Sequence, residues 1–249
     1  MAEWVVGIDV GGSAIKAGAV DLATGSLAGV LRSVPTPRPA TPPALISVFS
    51  QLAAAHPDIK TRLGVAFPSV IKHGTAYTAA NIDPSWIGAP VEELARQALG
   101  RPVLFLNDAD AAGLTEMRWG AGRGCGGTVI MLTLGTGIGT ALFSGGQLFP
   151  NTELGHLELR GMDAEKRASA HARTREHLDF PAWAERVNEY LEAMQRLFWP
   201  DVFILGGAVS ERFAEFAPLL RSPAELRPAH FGNQAGVIGA ALAAADARL

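Results

Sequence analysis

The sequence is poor in cysteine and in net charge, and each shortage excludes a class of protein. One cysteine in 249 residues rules out a disulfide framework and the zinc sites that need several thiolates. With 21 Lys and Arg against 24 Asp and Glu, the formal charge is −3, which argues against a uniformly basic surface for nucleic acid. No charged segment followed by an apolar one opens the chain, so we expect no secretory signal.

Long uninterrupted apolar runs are also lacking. One uncharged stretch, Gly124 to Thr152, is long enough to be considered as a membrane span, but glycine and threonine interrupt it throughout. A spanning helix needs about 20 predominantly apolar residues. We therefore interpret this stretch as buried strands and expect a cytoplasmic protein with neither a membrane nor a nucleic-acid partner.

What is present is enough apolar material for a substantial core. Hydrophobic residues make up 48% of the chain and charged residues 18%, which is typical of a folded globular protein. At about 150 residues per domain, the length fits one large or two modest domains.

The two halves of the chain open with the same pattern of a strand, a glycine-rich turn and a returning strand. With an offset of 124 positions, Asp9–Ser13 matches Thr133–Gly137, and Ala17 falls on Ala141. We interpret this as a duplicated α/β architecture. The predicted strands of these units are Trp4–Val10, Ile15–Val20, Thr128–Leu134 and Gly139–Phe143.

Apolar periodicity and capping signals predict the remaining elements. Thr41 precedes a proline and is predicted to be the N-cap of a helix. The further predicted strands are Leu27–Val34, Arg62–Phe67, Val103–Leu106 and Val202–Leu205, and the further helices are Val91–Leu99, one carrying Trp183 to Phe198, and one from about Gln234. Core filling is the favoured role for Trp86, Trp119, Trp183 and Trp199, with stacking on a sugar as the alternative.

Each glycine-rich turn offers backbone N–H groups that no Cβ shields, as a phosphate requires. The first turn is Gly11-Gly12-Ser13. Asp9 lies before it and is a candidate Mg²⁺ ligand, and Lys16 lies after it. The alternative is a tight hairpin with a surface aspartate. Gly135-Thr136-Gly137 forms a second such turn, and Gly206-Gly207 is either a third or an ordinary turn between a strand and a helix.

Two further segments carry acidic or imidazole groups suited to a reaction on a sugar. Asp108, after Asn107 at the end of a strand, is placed either to accept a proton from a hydroxyl or to cap a helix, and spacing alone favours capping. Glu153 and His156 flank a glycine and have the hydrogen-bonding groups that sugar hydroxyls need. A metal site is the weaker alternative for this pair.

Taken together, Gly7-Ile-Asp-Val-Gly-Gly-Ser13, Asn107-Asp-Ala-Asp110, Leu134-Gly-Thr-Gly-Ile-Gly139 and Glu153-Leu-Gly-His156 resemble the motifs of the ROK (repressor/ORF/kinase) sugar kinases. The resemblance implies an α/β, two-domain actin-like ATPase fold of the hexokinase type, with a cleft between the domains. The implied domains are 1–107 with 234–249, a small domain carrying the first phosphate loop, and 108–233, a large domain carrying the second loop and most of the sugar site.

Finer motifs, such as Thr78-Ala-Ala-Asn-Ile-Asp83 and Gly161-Met-Asp-Ala-Glu165, are similar to those of the polyphosphate glucokinase branch. That branch transfers phosphoryl from inorganic polyphosphate to the 6-hydroxyl of glucose; some members also use ATP or accept mannose. The resemblance implies Asp108 as the catalytic base, Mg²⁺ with the donor, and a homodimer. The implied sugar-binding residues are Asn107, Glu153, His156, Asn81 and Glu165, and the implied donor-binding residues are Asp9, Gly11, Gly12, Ser13, Ala14, Ile15, Lys16, Gly135, Thr136, Gly137, Gly206 and Gly207.

The chain departs from the wider family after His156. Most members carry a zinc-binding cysteine cluster there, whereas Leu157 to His177 has no cysteine. We therefore expect no zinc and no resident metal site, and we expect His156 to be a sugar ligand only. Basic residues suited to a polymer of phosphates are Arg118, Arg123, Arg160, Lys166, Arg167, Arg173 and Arg175, with ordinary solvated helix faces as the alternative.

Three other functions remain open at this point. An ATP-specific hexokinase of the same fold is the nearest alternative. A sugar-sensing repressor needs an N-terminal DNA-binding module, and the first strand at Trp4 argues against one. A non-kinase actin-like ATPase would use the phosphate turns but would give Glu153 and His156 no role.

Overall fold

The computed structural model describes residues 3–246, and these fall into two compact units. Unit 1 contains the described residues up to Thr115 and those from Gln234 onward, and unit 2 is Glu116–Asn233. The chain therefore passes from one unit to the other within a helix and returns just before the last helix. The predicted domains, 1–107 with 234–249 and 108–233, stay a prediction, since a compact unit need not be an independently folding domain.

Strands and helices alternate in the second part of each unit, as α/β folds require. The strands are β1 (Trp4–Val10), β2 (Ala14–Asp21), β3 (Ser26–Leu27), β4 (Arg32–Pro35), β5 (Leu63–Phe67), β6 (Ile71–Lys72), β7 (Thr75–Ala76), β8 (Val103–Asn107), β9 (Thr128–Leu134), β10 (Ile138–Ser144), β11 (Gln147–Phe149), β12 (Glu158–Leu159), β13 (Met162–Asp163), β14 (Val202–Gly206) and β15 (Glu225–Pro228). The helices are α1 (Pro42–Ala54), α2 (Val91–Leu99), α3 (Asp108–Trp119), α4 (Glu165–Ala168), α5 (Ala170–Arg175), α6 (Phe180–Phe198), α7 (Phe213–Phe216) and α8 (Ala235–Ala245).

The two main sheets have the same topology. In unit 1 the order is β3-β2-β1-β5-β8, with β4 also paired to β2, and in unit 2 it is β11-β10-β9-β14-β15. In both, the first two strands form an antiparallel hairpin and the later strands run parallel to the first. This shared topology confirms the predicted duplication.

The structure corrects the alignment of the two copies by one residue. Four residues separate the paired Val10 and Ile15, whereas three separate the paired Leu134 and Ile138. The offset of 124 therefore holds up to the turn and falls by one after it, so Ala17 does not correspond to Ala141. The second turn is the tighter of the two.

Helix α8 packs on the sheet of unit 1 through glycines. A Cβ built on Gly7 would lie 1.9 Å from the carbonyl oxygen of Val237, and one on Gly64 would lie 1.8 Å from that of Ala240. A Cβ on Gly239 would lie 1.7 Å from the carbonyl oxygen of Ala111 on α3. At these three positions the backbones approach so closely that only glycine fits.

Aromatic clusters fill the core of each unit. In unit 1, the ring of Phe67 meets those of Trp86 and Phe105 edge to face, with centroids 4.9 and 5.4 Å apart. In unit 2, Trp183 meets Phe216 in the same way at 5.2 Å. The indole nitrogens of Trp86 and Trp183 donate to carbonyl oxygens, so neither buried tryptophan has an unpaired donor.

Several local predictions are confirmed and two need correction. Strands Trp4–Val10 and Thr128–Leu134 and helix Val91–Leu99 have their predicted bounds. The predicted strand Leu27–Val34 is wrong, because a bend at Gly29 (φ +81°) divides it into β3 and β4, which bond to opposite ends of β2.

Two other predictions concern single side chains. Thr41 is confirmed as the N-cap of α1, although its hydroxyl makes no capping hydrogen bond. Trp199 is not a core residue: it follows α6 with φ +48° and is 76% exposed. Within residues 3–246, no helix has both the length and the apolar character needed to cross a bilayer.

Candidate active site

The first glycine-rich turn lies in unit 1 at the carboxyl end of β1. The Gly11 N–H donates to the carbonyl oxygen of Ala14, and the Thr36 hydroxyl donates to the carbonyl oxygen of Gly11 at 2.6 Å. The Thr36 N–H also donates to the carbonyl oxygen of Ser13. The loop is therefore fixed from outside by Thr36, a residue that the motif did not indicate.

Asp9 precedes this turn and pairs across the hairpin with Lys16. Its carboxylate contacts the first turn of α8, since a Cβ built on Gly236 would lie 2.7 Å from the Asp9 Cγ. Burial raises the pKa of Asp9, and the Lys16 charge lowers it by a smaller amount. The side chain is partly buried, so the alternative of a plain surface aspartate does not hold.

The carboxyl edge of the unit 1 sheet also carries Asn107 at the end of β8 and Ser69 just after β5. The Asn107 amide donates to the Ser69 carbonyl oxygen at 3.4 Å, and the Ser69 hydroxyl donates to the carbonyl oxygen of Thr78. Asn81 follows with φ +61° and packs on the first turn, 3.2 Å from a Cβ built on Gly12. The structure thus brings Asn81, Asn107 and the first turn to one edge.

The preference for Asp108 as a helix cap is wrong. The Asn107 side-chain oxygen accepts from the N–H groups of Ala109 and Asp110, at 2.9 and 3.1 Å, so Asn107 caps α3. The Asp108 carboxylate accepts from the adjacent Ala109 N–H at 2.9 Å, and the residue is partly exposed. The cap holds Asp108 in the first turn of α3.

The second glycine-rich turn lies in unit 2, at the carboxyl ends of β9 and β14. The Gly135 carbonyl oxygen accepts from the His171 N–H, and the Glu165 carboxylate accepts from the Ile138 N–H at 3.2 Å. Gly207 has φ +85°, and a Cβ there would lie 2.4 Å from the carbonyl oxygen of Leu134. The glycine pair at 206–207 is thus adjacent to the second turn, as a shared phosphate-binding region requires.

His156 stands among three carboxylates of unit 2. Its Nε2 lies 3.8 Å from Glu153, and its Nδ1 lies 3.6 Å from Asp163 and 3.9 Å from Glu165. The intervening glycine is required, because a Cβ on Gly155 would lie 2.2 Å from the carbonyl oxygen of Ile138. The motif therefore places its carboxylate and imidazole against the second turn.

The carboxylates around His156 differ in their electrostatic environment. Partial burial raises the pKa of Glu153; the His156 charge lowers it, and the neighbouring Glu165 raises it. The hydrogen bond from Lys166 lowers the pKa of Asp163. Of Glu153 and Asp163, Glu153 therefore has the larger tendency to hold a proton.

Cation ligands are available in both units. Among residues 3–246, His156, Asp163 and Glu165 place one ligand atom each within 4.8 Å of one another. The Lys166 ammonium already contacts Asp163, which opposes a cation at that point. In unit 1, the carboxylate of Asp9 beside the first turn is the oxygen ligand that Mg²⁺ prefers, so this part of the chain fits the expected ion.

The basic residues proposed for a polymer of phosphates are mostly engaged. Arg160 and Arg167 both contact Glu189, and Arg175 contacts Glu176. The Arg173 guanidinium lies 4.2 Å from the centre of the Phe180 ring, and that of Arg118 lies 5.9 Å from the centre of the Trp119 ring. A role in holding a polymer stays a prediction for each of them.

Three residues near the site were not among the predicted ligands: Thr36, Ser69 and Asp163. Thr36 and Ser69 act through hydrogen bonds to backbone atoms distant in sequence, which no local pattern reveals. Asp163 lies inside the Gly161–Glu165 segment that resembled the polyphosphate branch, and that segment was the available signal.

A sequence profile of the ROK family matches residues 5–172. The chain belongs to the ROK family. Among its ROK relatives, a protein named polyphosphate glucokinase from Mycobacterium tuberculosis is 45% identical over 238 residues, covering 95% of this chain and 89% of the relative. The actin-like ATPase fold predicted from the motifs is therefore confirmed for this ROK protein.

Solved structures agree with this placement in the ROK family. The inorganic polyphosphate/ATP-glucomannokinase from Arthrobacter sp. strain KM is 46% identical with a TM-score of 0.93, covering 97% of this chain and 98% of that one. A ROK family glucokinase from Streptomyces griseus, solved with glucose and AMPPNP, is 25% identical with a TM-score of 0.82, covering 97% and 99%.

Proposed function

We propose that the chain is a polyphosphate-dependent glucokinase, which transfers a phosphoryl group from inorganic polyphosphate to the 6-hydroxyl of glucose. The observation that carries the proposal is the near-complete match in sequence and fold to polyphosphate glucokinases and a polyphosphate/ATP-glucomannokinase. A ROK family transcriptional regulator among the similar structures is 14% identical, so its likeness shows the fold alone.

Within this proposal, Asp108 accepts the proton of the 6-hydroxyl as the phosphoryl group moves. Phosphoryl transfer needs mainly a positioned acceptor, a nearby carboxylate and neutralisation of the charge on the donor. The support for Asp108 is its position: Asn107 takes over the capping of α3, which leaves the Asp108 carboxylate partly exposed at the carboxyl edge of the sheet.

Sugar binding is assigned to Glu153, His156 and Glu165 in unit 2. In unit 1, the side chains of Asn81 and Asn107 are the candidates for binding sugar hydroxyls. Glu153 and Glu165 accept hydrogen bonds from hydroxyls, and His156 donates or accepts according to its tautomer. The side-chain oxygen of Asn107 accepts the capping hydrogen bonds, so the amide nitrogen is the group that it offers to the sugar.

The glycine-rich turn of each unit is a candidate for binding the donor. These are Gly11–Lys16 in unit 1 and Gly135–Gly137 in unit 2, with Gly206 and Gly207 beside the latter. Asp9 would hold Mg²⁺ directly or through water, and the ion would neutralise charge on the donor phosphates. Lys16 adds a positive charge on the same hairpin.

ATP is the second candidate donor. The glucomannokinase of similar fold is named for both polyphosphate and ATP, and the Streptomyces griseus glucokinase was solved with an ATP analogue. We also propose mannose as an alternative acceptor, a homodimer and a cytoplasmic location. Light scattering coupled to size exclusion tests the dimer.

One assay tests the donor and the acceptor together. Purified protein with Mg²⁺ and glucose is given long-chain polyphosphate or ATP in separate reactions, and glucose 6-phosphate is measured; mannose replaces glucose in a parallel set. We expect turnover with polyphosphate. Product from ATP alone would replace the proposal with an ATP-specific hexokinase, and donor hydrolysis without glucose would replace it with an ATPase.

The Asp108→Asn variant tests the proposed base. We expect kcat to fall by about 100-fold or more, since general-base catalysis contributes roughly that much, while glucose binding by calorimetry is retained. Asp58→Asn, an exposed aspartate elsewhere in unit 1, is the matched control and keeps its activity. Unchanged kcat in Asp108→Asn would exclude Asp108 as the base.

A further inference from the structure

A cavity of about 410 Å³ in unit 1 has a cationic lining and no carboxylate in its wall. Its polar lining residues are Ser50, His56, Lys60 and Arg101. It lies where α1 and α2 end and where the chain enters β8, so Asn107 stands at the other end of that strand. The volume falls within the range of sites for small molecules.

Two side-chain nitrogens at this cavity are buried and lack hydrogen-bond partners within residues 3–246. They are the Nη2 of Arg101 and the Nε2 of His56. The other terminal nitrogen of Arg101, Nη1, donates to the carbonyl oxygen of Ile59 at 2.6 Å, which fixes the guanidinium in place. A buried donor without an acceptor costs about 1–3 kcal/mol, and more when it is charged, so such a pair calls for an explanation.

The charged and titratable side chains that line the cavity are Lys60, Arg101 and His56, and no carboxylate is among its lining residues. Burial lowers the pKa of His56, and the charges of Arg32 and Arg101 lower it further. Burial also lowers the pKa of Arg101. The ends of α1 and α2 carry partial negative charge, which helps to accommodate these cations, but they supply no acceptor to either orphaned nitrogen.

We propose that this cavity binds an oxyanion of the phosphate class. Such an anion carries several acceptor oxygens in a tetrahedral arrangement, which suits donors that approach from different residues, and its charge offsets those of Arg101 and Lys60. The exposed Lys60 completes the cavity wall toward solvent. The ligand is free inorganic phosphate, a segment of polyphosphate or a phosphate ester such as glucose 6-phosphate, since all three share this chemistry.

The site is distinct from the first glycine-rich turn, which lies at the opposite, carboxyl edge of the unit 1 sheet. It therefore does not depend on the proposed function and would stand even if the chain phosphorylated another sugar. An anion here would raise the pKa of His56, because it stabilises the imidazolium that Arg32 and Arg101 disfavour.

The test follows the His56 imidazole by NMR in the full chain, in phosphate-free and sulfate-free buffer of low ionic strength. The signal lost in His56→Gln identifies His56. Inorganic phosphate, tripolyphosphate and glucose 6-phosphate are titrated separately at millimolar concentrations, with acetate as the comparison. We expect at least one phosphate species to shift the His56 signal with saturation and to raise the pKa read from it, whereas acetate does so weakly.

Variants of the wall localise the effect. Arg101→Met and Lys60→Met are expected to raise the dissociation constant measured at His56 about tenfold or more, in line with the loss of a charged contact. Lys72→Met, which removes an exposed lysine outside the cavity, leaves it unchanged. Since Arg101 also supports the 56–60 loop, Lys60→Met keeps the test valid if Arg101→Met fails to fold.

The three ligands separate the sources of the anion. A response to glucose 6-phosphate alone assigns the site to the reaction product, and a response to tripolyphosphate alone assigns it to the polymer. No saturable shift of His56 with any of the three overturns the proposal. So does a shift that is equal in Lys60→Met, Lys72→Met and the unaltered protein.

Discussion

At the scale of single residues, the two crossings between the units are marked by buried polar side chains. The Thr115 hydroxyl, in unit 1, donates to the carbonyl oxygen of Ala235 at 2.7 Å. The next residue, Glu116, begins unit 2, and its carboxylate accepts from the N–H groups of Ala121, His230 and Phe231 at 2.8–2.9 Å. The Thr115 hydrogen bond therefore joins the two connecting segments within unit 1, and the Glu116 hydrogen bonds join them within unit 2.

Glu116→Gln tests how much this carboxylate contributes to stability. An amide nitrogen cannot accept a hydrogen bond, so at least one buried N–H loses its acceptor, and the free energy of unfolding should fall by about 1–3 kcal/mol. Urea unfolding measures the difference. Glu192→Gln, a 71% exposed glutamate 3.8 Å from Arg196, is the control and should change stability little. Equal midpoints for both variants would contradict the role of Glu116.

At the scale of elements, α8 is defined by how closely it lies on its neighbours. Its sequence is apolar on all sides, and its residues Ala235 to Ala241 are all buried. None of the residues of α8 is charged or aromatic, so its side chains form neither salt bridges nor ring contacts. Its packing therefore depends on backbone approach at Gly7, Gly64 and Gly239.

Gly64→Ala should displace α8, because the added methyl would lie 1.8 Å from the Ala240 carbonyl oxygen and backbone cannot give way cheaply. We expect a loss of about 3 kcal/mol or more in the free energy of unfolding. The matched control is Gly126→Ala, where the methyl meets no heavy atom within 4 Å and φ is not positive. A Gly64→Ala protein as stable as that control would refute the packing argument.

Elements could be predicted from the sequence where apolar runs and glycine or proline marked their ends. Strands β1 and β9 and helix α2 came out at their true bounds for this reason. The strand predicted over Leu27–Val34 failed because its apolar residues continue through the bend at Gly29, and hydrogen bonding to β2, not hydrophobicity, decides where the chain leaves the sheet.

Some residues of the candidate site could be predicted from the sequence, and others could not. The glycine turns, Asp108 and Glu153–His156 carry their chemistry in local motifs, so the sequence could indicate them. The capping of α3 by Asn107 in place of Asp108 is a one-residue choice made by backbone geometry, and the bond from Thr36 to Gly11 joins residues 25 positions apart. The spacing of residues along the chain predicts neither the capping by Asn107 nor the hydrogen bond from Thr36.

At the scale of the whole molecule, the chain contains two cores built on one topology. Trp86 is fully buried in the core of unit 1 and Trp183 in that of unit 2, so each unit has its own natural fluorescence reporter. A unit with its own core can unfold separately when the other is destabilised.

Single-tryptophan proteins test this independence. Replacing the other tryptophans by phenylalanine leaves either Trp86 or Trp183 as the reporter of urea unfolding. With Gly64→Ala added, we expect the midpoint reported by Trp86 to fall while that reported by Trp183 stays in place. Equal shifts of both midpoints would show that the two cores unfold as one cooperative system.

The close approach of α8 to the sheet also affects how amino-acid substitutions among relatives should be interpreted. Gly7, Gly64 and Gly239 would tolerate almost no substitution, yet their α-carbons face backbone and not a substrate. A mutational scan ranked by lost activity would place them beside Asp108, and only an assay of protein abundance would separate the two groups. In this fold, intolerance to change at a glycine reports the distance between two backbones, and it is poor evidence for a part in catalysis.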